Sequence, residues 1–228
     1  MADAGADRLR LSDTIGILGP EEYGRRVAAV GQVSSIDTQC HCHNDFGLGV
    51  ANTLAGLKAG ARYFHVCVNG MGERAGMPDL AQTAVALKHL YDRDVGLDMR
   101  HFKALSELVS EASRQPITAW QPVVGANVFA HESGIHVKGM LKDTSTFEPF
   151  PPEEVGNERR YVIGKHSGRA LLRNVLETAG IAVEEDLLPA CLAEVRTTAI
   201  RQAGPVSPEQ LRDIYHVAAA TAQGRAAQ

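Results

Sequence analysis

The sequence contains only four cysteines, at positions 40, 42, 67 and 191 of 228 residues. Their small number and scatter do not suit a disulfide-stabilised fold, so we expect reduced thiols in a cytoplasmic protein. The first seven residues lack the basic and apolar segments of a secretory signal peptide, and none is expected. A run of about 18 apolar residues is also missing, which excludes a predicted membrane span.

An excess of charge of either sign is absent as well. Lys and Arg total 23 and Asp and Glu total 27, which gives a net charge of −4 and a pI of about 6.1. This mild acidity gives no electrostatic reason to expect nucleic acid or an anionic membrane as a partner. Hydrophobic residues make up 44% of the chain and charged residues 22%, a mixture typical of a globular protein rather than a disordered one.

The first part of the chain alternates between strands and helices. Strands are predicted at 8–12, 35–43 and 63–68, each followed by a helical segment. This alternation is typical of parallel βαβ units and predicts an α/β fold. After residue 91 it ends, and helices dominate, the last of them opening at Ser207 with a capping box to Gln210. We therefore predict an α/β segment at 1–92, a helical and loop-rich linker subdomain at 93–156 and a helical subdomain at 157–228.

The segment 41–45, His-Cys-His-Asn-Asp, is the sharpest chemical feature. Alternate residues of a strand point to the same face, so His41 and His43 are predicted to project together. Two imidazoles at the carboxyl end of a parallel strand form a chelating pair for a divalent metal, and α/β barrels hold their active sites at that end. The alternative is a pair of histidines that are merely hydrogen-bonded at a strand end.

The segment 69–76, Asn-Gly-Met-Gly-Glu-Arg-Ala-Gly, follows the third predicted strand. Its glycine spacing is not the dinucleotide-binding pattern, and no Walker lysine follows. Glu73 and Arg74 stand where a substrate would be contacted, although a tight turn with a solvated ion pair is equally compatible. Histidines 65, 89, 101 and 216 show no partner pattern and are interpreted as packing or surface residues.

Several segments, taken together and in order, resemble the isopropylmalate/homocitrate synthase family over nearly the whole chain. The segments are 13–16, 41–45, 68–76, 130–137 and 164–169, and those at 120–121, 124–129 and 207–211 are most similar to homocitrate synthases of the nitrogen-fixation type. The resemblance implies a partial TIM barrel, consisting of its last three βα units, followed by a mainly α-helical C-terminal extension. It also implies an acyltransferase that condenses acetyl-CoA with a 2-oxo acid, here 2-oxoglutarate, on a divalent Mg, Mn or Zn ion.

The same resemblance assigns roles to residues. His41 and His43 correspond to the paired metal ligands. Thr14 corresponds to a threonine that contacts the 2-oxo acid. Glu73 and Arg74 correspond to residues near the acetyl-CoA thioester, the first catalytic and the second substrate-binding.

The resemblance also implies that the helical extension completes the site of a partner subunit in a homodimer. His136 corresponds to the histidine that this extension delivers as an acid/base group. No membrane or nucleic-acid partner is implied. The resemblance leaves the first five strands of the barrel unaccounted for, so association with an amino-terminal half is an alternative to a simple homodimer.

Three features depart from the family pattern. The strand Arg-Asp-Gly, whose aspartate is a metal ligand, does not occur in this sequence. Met77 stands where relatives have an asparagine ligand, and a thioether is a poor partner for a hard cation, so the carboxylate of Asp79 or a water would have to take its place. Phe147 replaces a common tyrosine.

Two other interpretations stay open. The chain is then either a truncated or split-enzyme subunit without activity of its own, or a related synthase of the isopropylmalate type that uses another 2-oxo acid.

Overall fold

The computed structural model describes residues 4–226, with side chains up to residue 224. Residues 1–3, on which the expectation of no signal peptide partly rests, lie outside that range. The described chain forms two compact units, the first ending at Val128 and the second beginning at Phe129. This division falls inside the segment 93–156, and the three-part division of the sequence stays a prediction.

The first unit is a small parallel α/β structure. Its strands pair in the order β1-β2-β3, with β2 in the centre and every pairing parallel. The elements in chain order are β1 (Arg8–Asp13), α1 (Pro20–Val33), β2 (Asp37–Cys42), α2 (Gly49–Lys58), β3 (Tyr63–Phe64), α3 (Leu80–Tyr91) and α4 (Phe102–Ser113). The predicted α/β class is therefore confirmed, whereas the assignment of these units to the end of a TIM barrel stays a prediction.

The two faces of this sheet differ in polarity because side chains alternate along each strand. On one face, Leu11, Cys40 and Cys42 pack with Tyr23 and Val27 of α1 in an apolar cluster. Burial raises the pKa of the Cys40 thiol to about 12 and that of Cys42 to about 11, so both stay protonated and inert. The opposite face is polar, and a cavity of 680 Å³ on it is lined by residues that include Arg8, Arg10, Ser12 and Gln39.

The second unit is mainly helical, as the sequence predicts. Its only strands among the described residues are the two-residue parallel pair β4 (Ala130–His131) and β5 (Arg160–Tyr161). The helices are α5 (Gly134–Met140), α6 (Arg169–Thr178), α7 (Leu188–Arg201) and α8 (Pro208–Ala226). Leucines and valines of α6, α7 and α8 form its apolar core.

The start of α8 confirms the predicted capping box. The backbone N–H of Gln210 donates to Oγ of Ser207 at 3.1 Å, and the backbone N–H of Ser207 donates to Oε1 of Gln210 at 2.9 Å. Within residues 4–226, no helix is long and apolar enough to cross a membrane.

Candidate functional site

Three histidines meet on the polar face of the sheet, near the carboxyl ends of β2 and β3. The ring centroids of His41 and His43 lie 5.2 Å apart, as expected for alternate residues that project together. His65 follows β3, and its backbone N–H donates to the carbonyl of Cys40 at 3.0 Å. This pairing brings Nδ1 of His65 to 2.8 Å from Nδ1 of His41. The sequence interpretation of His65 as a packing or surface residue therefore missed a direct partner of His41.

The surroundings favour the neutral form of both partners of this contact. Burial, followed by the neighbouring imidazoles of His65 and His43, lowers the pKa of His41. Burial, followed by the guanidinium groups of Arg10 and Arg8, lowers the pKa of His65. Neutral imidazoles are the form that binds metal ions.

His43 supplies a second observation relevant to a metal. Its side chain is buried, and its Nδ1 has no hydrogen-bond partner among the described residues. Buried polar atoms without a partner are rare in folded proteins, and a bound ion or water commonly satisfies such an atom. The unpartnered nitrogen of His43, beside a neutral His41, thus fits an imidazole pair that holds a cation.

Met77 and Asp79, the two other positions considered for a metal ligand, are held within the fold of the first unit. Met77 is buried, with only 6% of its surface exposed. Oδ1 of Asp79 accepts a hydrogen bond from the backbone N–H of Gln82 at 2.8 Å, which makes Asp79 the N-cap of α3. Burial raises the pKa of Asp79. Among the residues that the structure describes, no group of three or more His, Cys, Asp or Glu side chains is arranged to hold a metal ion.

Arg74 joins the loop after β3 to the ends of β1 and β2. Its Nε and Nη2 donate to the carboxylate of Asp45 at 2.8 and 3.1 Å, and Nη2 also donates to the carbonyl oxygen of Thr14 at 2.6 Å. The hydrogen bond from Arg74 lowers the pKa of Asp45. The structure therefore brings together Thr14 and Arg74, the two predicted substrate contacts, and adds Asp45, for which the sequence predicted no role.

A tight glycine loop presents Glu73 and Arg74. Gly76 has a φ of +90°, and a Cβ at this position would collide with the carbonyl oxygen of Gly70. The same carbonyl accepts a hydrogen bond from the backbone N–H of Met77 at 2.9 Å, and the carbonyl of Gly76 accepts one from Asn44 at 3.0 Å. Only glycine allows the two ends of the loop to approach this closely, and Glu73 is exposed at its tip.

His136 lies in the second unit, on the exposed side of α5. Its imidazole stacks on the phenyl ring of Phe147, with ring centroids 4.1 Å apart and an interplanar angle of 25°. A cavity of 710 Å³ beside it is lined by residues that include His166 and Arg196. Phe147 lies at the position where the resemblance implies a tyrosine. Because it has no hydroxyl group, it contacts His136 through ring stacking and not through a hydrogen bond.

The neighbouring polar groups of the second unit serve its structure. Glu148 is buried, and its carboxylate accepts hydrogen bonds from Nε and Nη2 of Arg159 at 2.8 and 2.5 Å. Nε2 of His131 lies 3.3 Å from the same carboxylate. Because these groups satisfy one another, they are not candidates for the chemistry of the site.

Comparisons with known proteins show two matches to family models. Residues 1–109 match the family model described as HMGL-like, and residues 123–203 match the model described as homocitrate synthase post-HMGL domain-like. These two matches, in this order along the chain, support the resemblance stated from the sequence.

The most informative relatives are all synthases. The chain is 67% identical over 220 residues to 2-phosphonomethylmalate synthase of Streptomyces rubellomurinus, which covers 96% of this chain and 59% of the relative. It is 47% identical to 2-isopropylmalate synthase 2 of Caldanaerobacter subterraneus, over 93% of this chain and 55% of the relative. It is 43% identical to homocitrate synthase 1 of a Nostoc species, over 92% and 56%. The chain spans a little over half the length of these relatives.

Proposed function

We propose that this chain is the carboxyl-terminal part of a synthase that condenses acetyl-CoA with a 2-oxo acid, an acyltransferase whose acyl group becomes an alkyl group. The observation that carries the proposal is the pair His41 and His43, which share one face of an HMGL-like domain beside the Arg74 loop. The names of the relatives support it, since isopropylmalate, phosphonomethylmalate and homocitrate are all 2-hydroxy acids with a carboxymethyl group.

His41 and His43 are the residues that would hold a divalent cation. Two imidazoles suit Mn²⁺ or Zn²⁺ better than Mg²⁺, which prefers oxygen ligands. When bound, the cation would supply Lewis acidity that polarises the ketone of the 2-oxo acid. Met77 contributes no hard ligand, so further donors would come from the substrate or from the segment that completes the barrel.

The remaining candidate residues bind substrate and move protons. Arg74 is fixed by the carboxylate of Asp45 and the carbonyl of Thr14, and in this position its guanidinium would bind an anionic substrate. Glu73 and His136 are the proposed proton-transfer groups. A base removes a methyl proton from acetyl-CoA, and the resulting carbanion adds to the ketone carbon. The C=O π bond opens and the ketone oxygen takes up a proton to become the hydroxyl group, and water then cleaves the thioester to release CoA and a carboxylate.

The 2-oxo acid has two leading candidates, besides the 2-oxoisovalerate that the 2-isopropylmalate synthase relative suggests. Homocitrate synthesis from 2-oxoglutarate, as in the nitrogen-fixation enzymes, is supported by the post-HMGL domain and by the Nostoc relative at 43% identity. A 2-oxo acid with a phosphonomethyl group is supported by the relative at 67% identity, because removing the acetyl unit from 2-phosphonomethylmalate leaves phosphonopyruvate. The difference in identity favours the second candidate.

The proposed active site requires this chain to assemble with other segments. The three-stranded sheet requires further strands to close a barrel, so an amino-terminal segment would complete the site, and His136 would act across a homodimer. The proposed location is the cytoplasm. A subunit that acts only by association, without turnover, is the competing proposal for the same surface.

The test is release of CoA from acetyl-CoA by the chain, alone and together with an amino-terminal segment, with phosphonopyruvate, 2-oxoglutarate and 2-oxoisovalerate as separate acceptors. We expect release that depends on one acceptor, and a loss on the order of 10²-fold or more in His41→Ala. His216→Ala, an exposed histidine on α8, is the matched control. Release that needs no acceptor, or that survives His41→Ala, contradicts the proposal.

A further inference from the structure

We infer that His65 is a positioning residue, which fixes the tautomer and the ring orientation of His41 through the contact between their Nδ1 atoms. The inference rests on the proposed function, because it concerns how His41 would be presented to a cation. Its basis is the 2.8 Å separation of the two Nδ1 atoms and the steep interplanar angle of 81° between the rings.

The backbone fixes this contact. β2 and β3 are parallel with Cys40 opposite Phe64, so the residues that follow this pair, His41 in β2 and His65 just after β3, project toward the same face. The backbone N–H of His65 donates to the carbonyl of Cys40, which anchors His65 immediately after β3 ends. The two imidazoles are therefore neighbours because of the register between β2 and β3. Their contact does not depend on the conformation of the loop that follows β3.

A short contact between two ring nitrogens requires a definite proton arrangement. A neutral imidazole has one N–H donor and one acceptor nitrogen, so one of these Nδ1 atoms carries the proton and the other accepts it. If His41 donates, its Nε2 presents a lone pair. If His65 donates, Nε2 of His41 carries a proton and cannot bind a cation.

The first arrangement is the one compatible with a ligand at His41. Metal-binding histidines normally donate their second N–H to an acceptor, which fixes the ring and raises its basicity. Here the acceptor is the Nδ1 of another histidine in place of the more usual carboxylate or carbonyl oxygen. His65 then carries its own proton at Nε2.

The test compares His65→Asn with His65→Phe in the full chain. The amide oxygen of asparagine occupies the position of the histidine Nδ1 and keeps an acceptor, whereas phenylalanine keeps a ring and removes it. We expect Mn²⁺ affinity to fall about 10–100-fold in His65→Phe and to stay close to the parent in His65→Asn. His216→Phe is the control for removal of a histidine elsewhere.

A second readout needs neither metal nor turnover. ¹⁵N NMR of the imidazoles in the metal-free chain should show the proton of His41 on Nδ1 and that of His65 on Nε2. In His65→Asn the proton of His41 should stay on Nδ1. A His41 proton on Nε2, or equal Mn²⁺ affinity in the parent and His65→Phe, would overturn the inference.

These measurements separate the inference from the proposed function. If the parent chain binds no Mn²⁺, the metal site of the proposed function fails, and the tautomers still decide the role of His65. If the tautomers are reversed while Mn²⁺ binds, the proposed function stands and the role of His65 is rejected. Should His65→Phe not fold, the parent and His65→Asn spectra give the decision.

Discussion

At the scale of single residues, Tyr23 shows how helix α1 is tied by hydrogen bonds to the backbone of the sheet. Its hydroxyl donates to the carbonyl of Leu11 on β1 at 2.8 Å and accepts from the backbone N–H of His41 on β2 at 3.3 Å. The side chain is only 2% exposed, and burial raises its pKa. Tyr23 thereby bridges two strands at the position that carries the candidate ligand His41.

Tyr23→Phe should lower the free energy of unfolding by about 1–3 kcal/mol, because two partly buried backbone groups lose their hydrogen bond to the hydroxyl while the ring still packs. Urea denaturation followed by circular dichroism measures the change. Tyr91→Phe, at the more exposed end of α3, is the matched control and should have little effect. Equal stability of the two variants would mean that the bridge between the strands contributes nothing.

At the scale of elements, the loop after β3 depends on the contact between Gly70 and Gly76. The positive φ of Gly76 and its closeness to the carbonyl of Gly70 leave no room for a side chain. The loop carries Arg74, whose own φ of 56° is unusual for a residue other than glycine. The hydrogen bonds to Asp45 and Thr14 offset the backbone strain at Arg74.

Gly76→Ala should destabilise the first unit by at least about 1–3 kcal/mol, since the new methyl group forces the loop open. Gly31→Ala is a matched control, because Gly31 lies in α1 and a Cβ there meets no atom within 4 Å. That control should raise stability by roughly 0.5–1 kcal/mol. Thermal unfolding of both variants gives the comparison, and a Gly76→Ala protein as stable as Gly31→Ala would refute the proposed role of this loop contact.

The sequence was sufficient for features that depend on local periodicity. The parallel α/β order, the shared face of His41 and His43 and the capping box at Ser207 all follow from residue spacing. His65 was missed because its partner lies 24 residues away and the contact depends on strand register. The available signal was that His41 and His65 both lie at the carboxyl ends of neighbouring strands, β2 and β3.

At the scale of the whole molecule, β1 and β3 are edge strands that pair on one side only within the described residues, and the chain spans a little over half the length of its relatives. The polar face carries Arg8, Arg10 and the histidines 41, 43 and 65. A larger barrel would enclose such a polar surface in its interior. Composition and residue spacing did not predict which segment would cover this face, because the covering contacts would be made by other segments. Assembly is therefore central to the proposed activity.

The central claim is that His41 and His43 form the cation-binding pair of the synthase. Isothermal titration of Mn²⁺ into the chain, with and without the amino-terminal segment, tests it in the parent, His41→Ala, His43→Ala and His216→Ala. We predict that each of the first two substitutions weakens binding by about 100-fold or more, because an imidazole ligand is lost, and that His216→Ala leaves it unchanged. Binding to His41→Ala as tight as binding to the parent would contradict the claim.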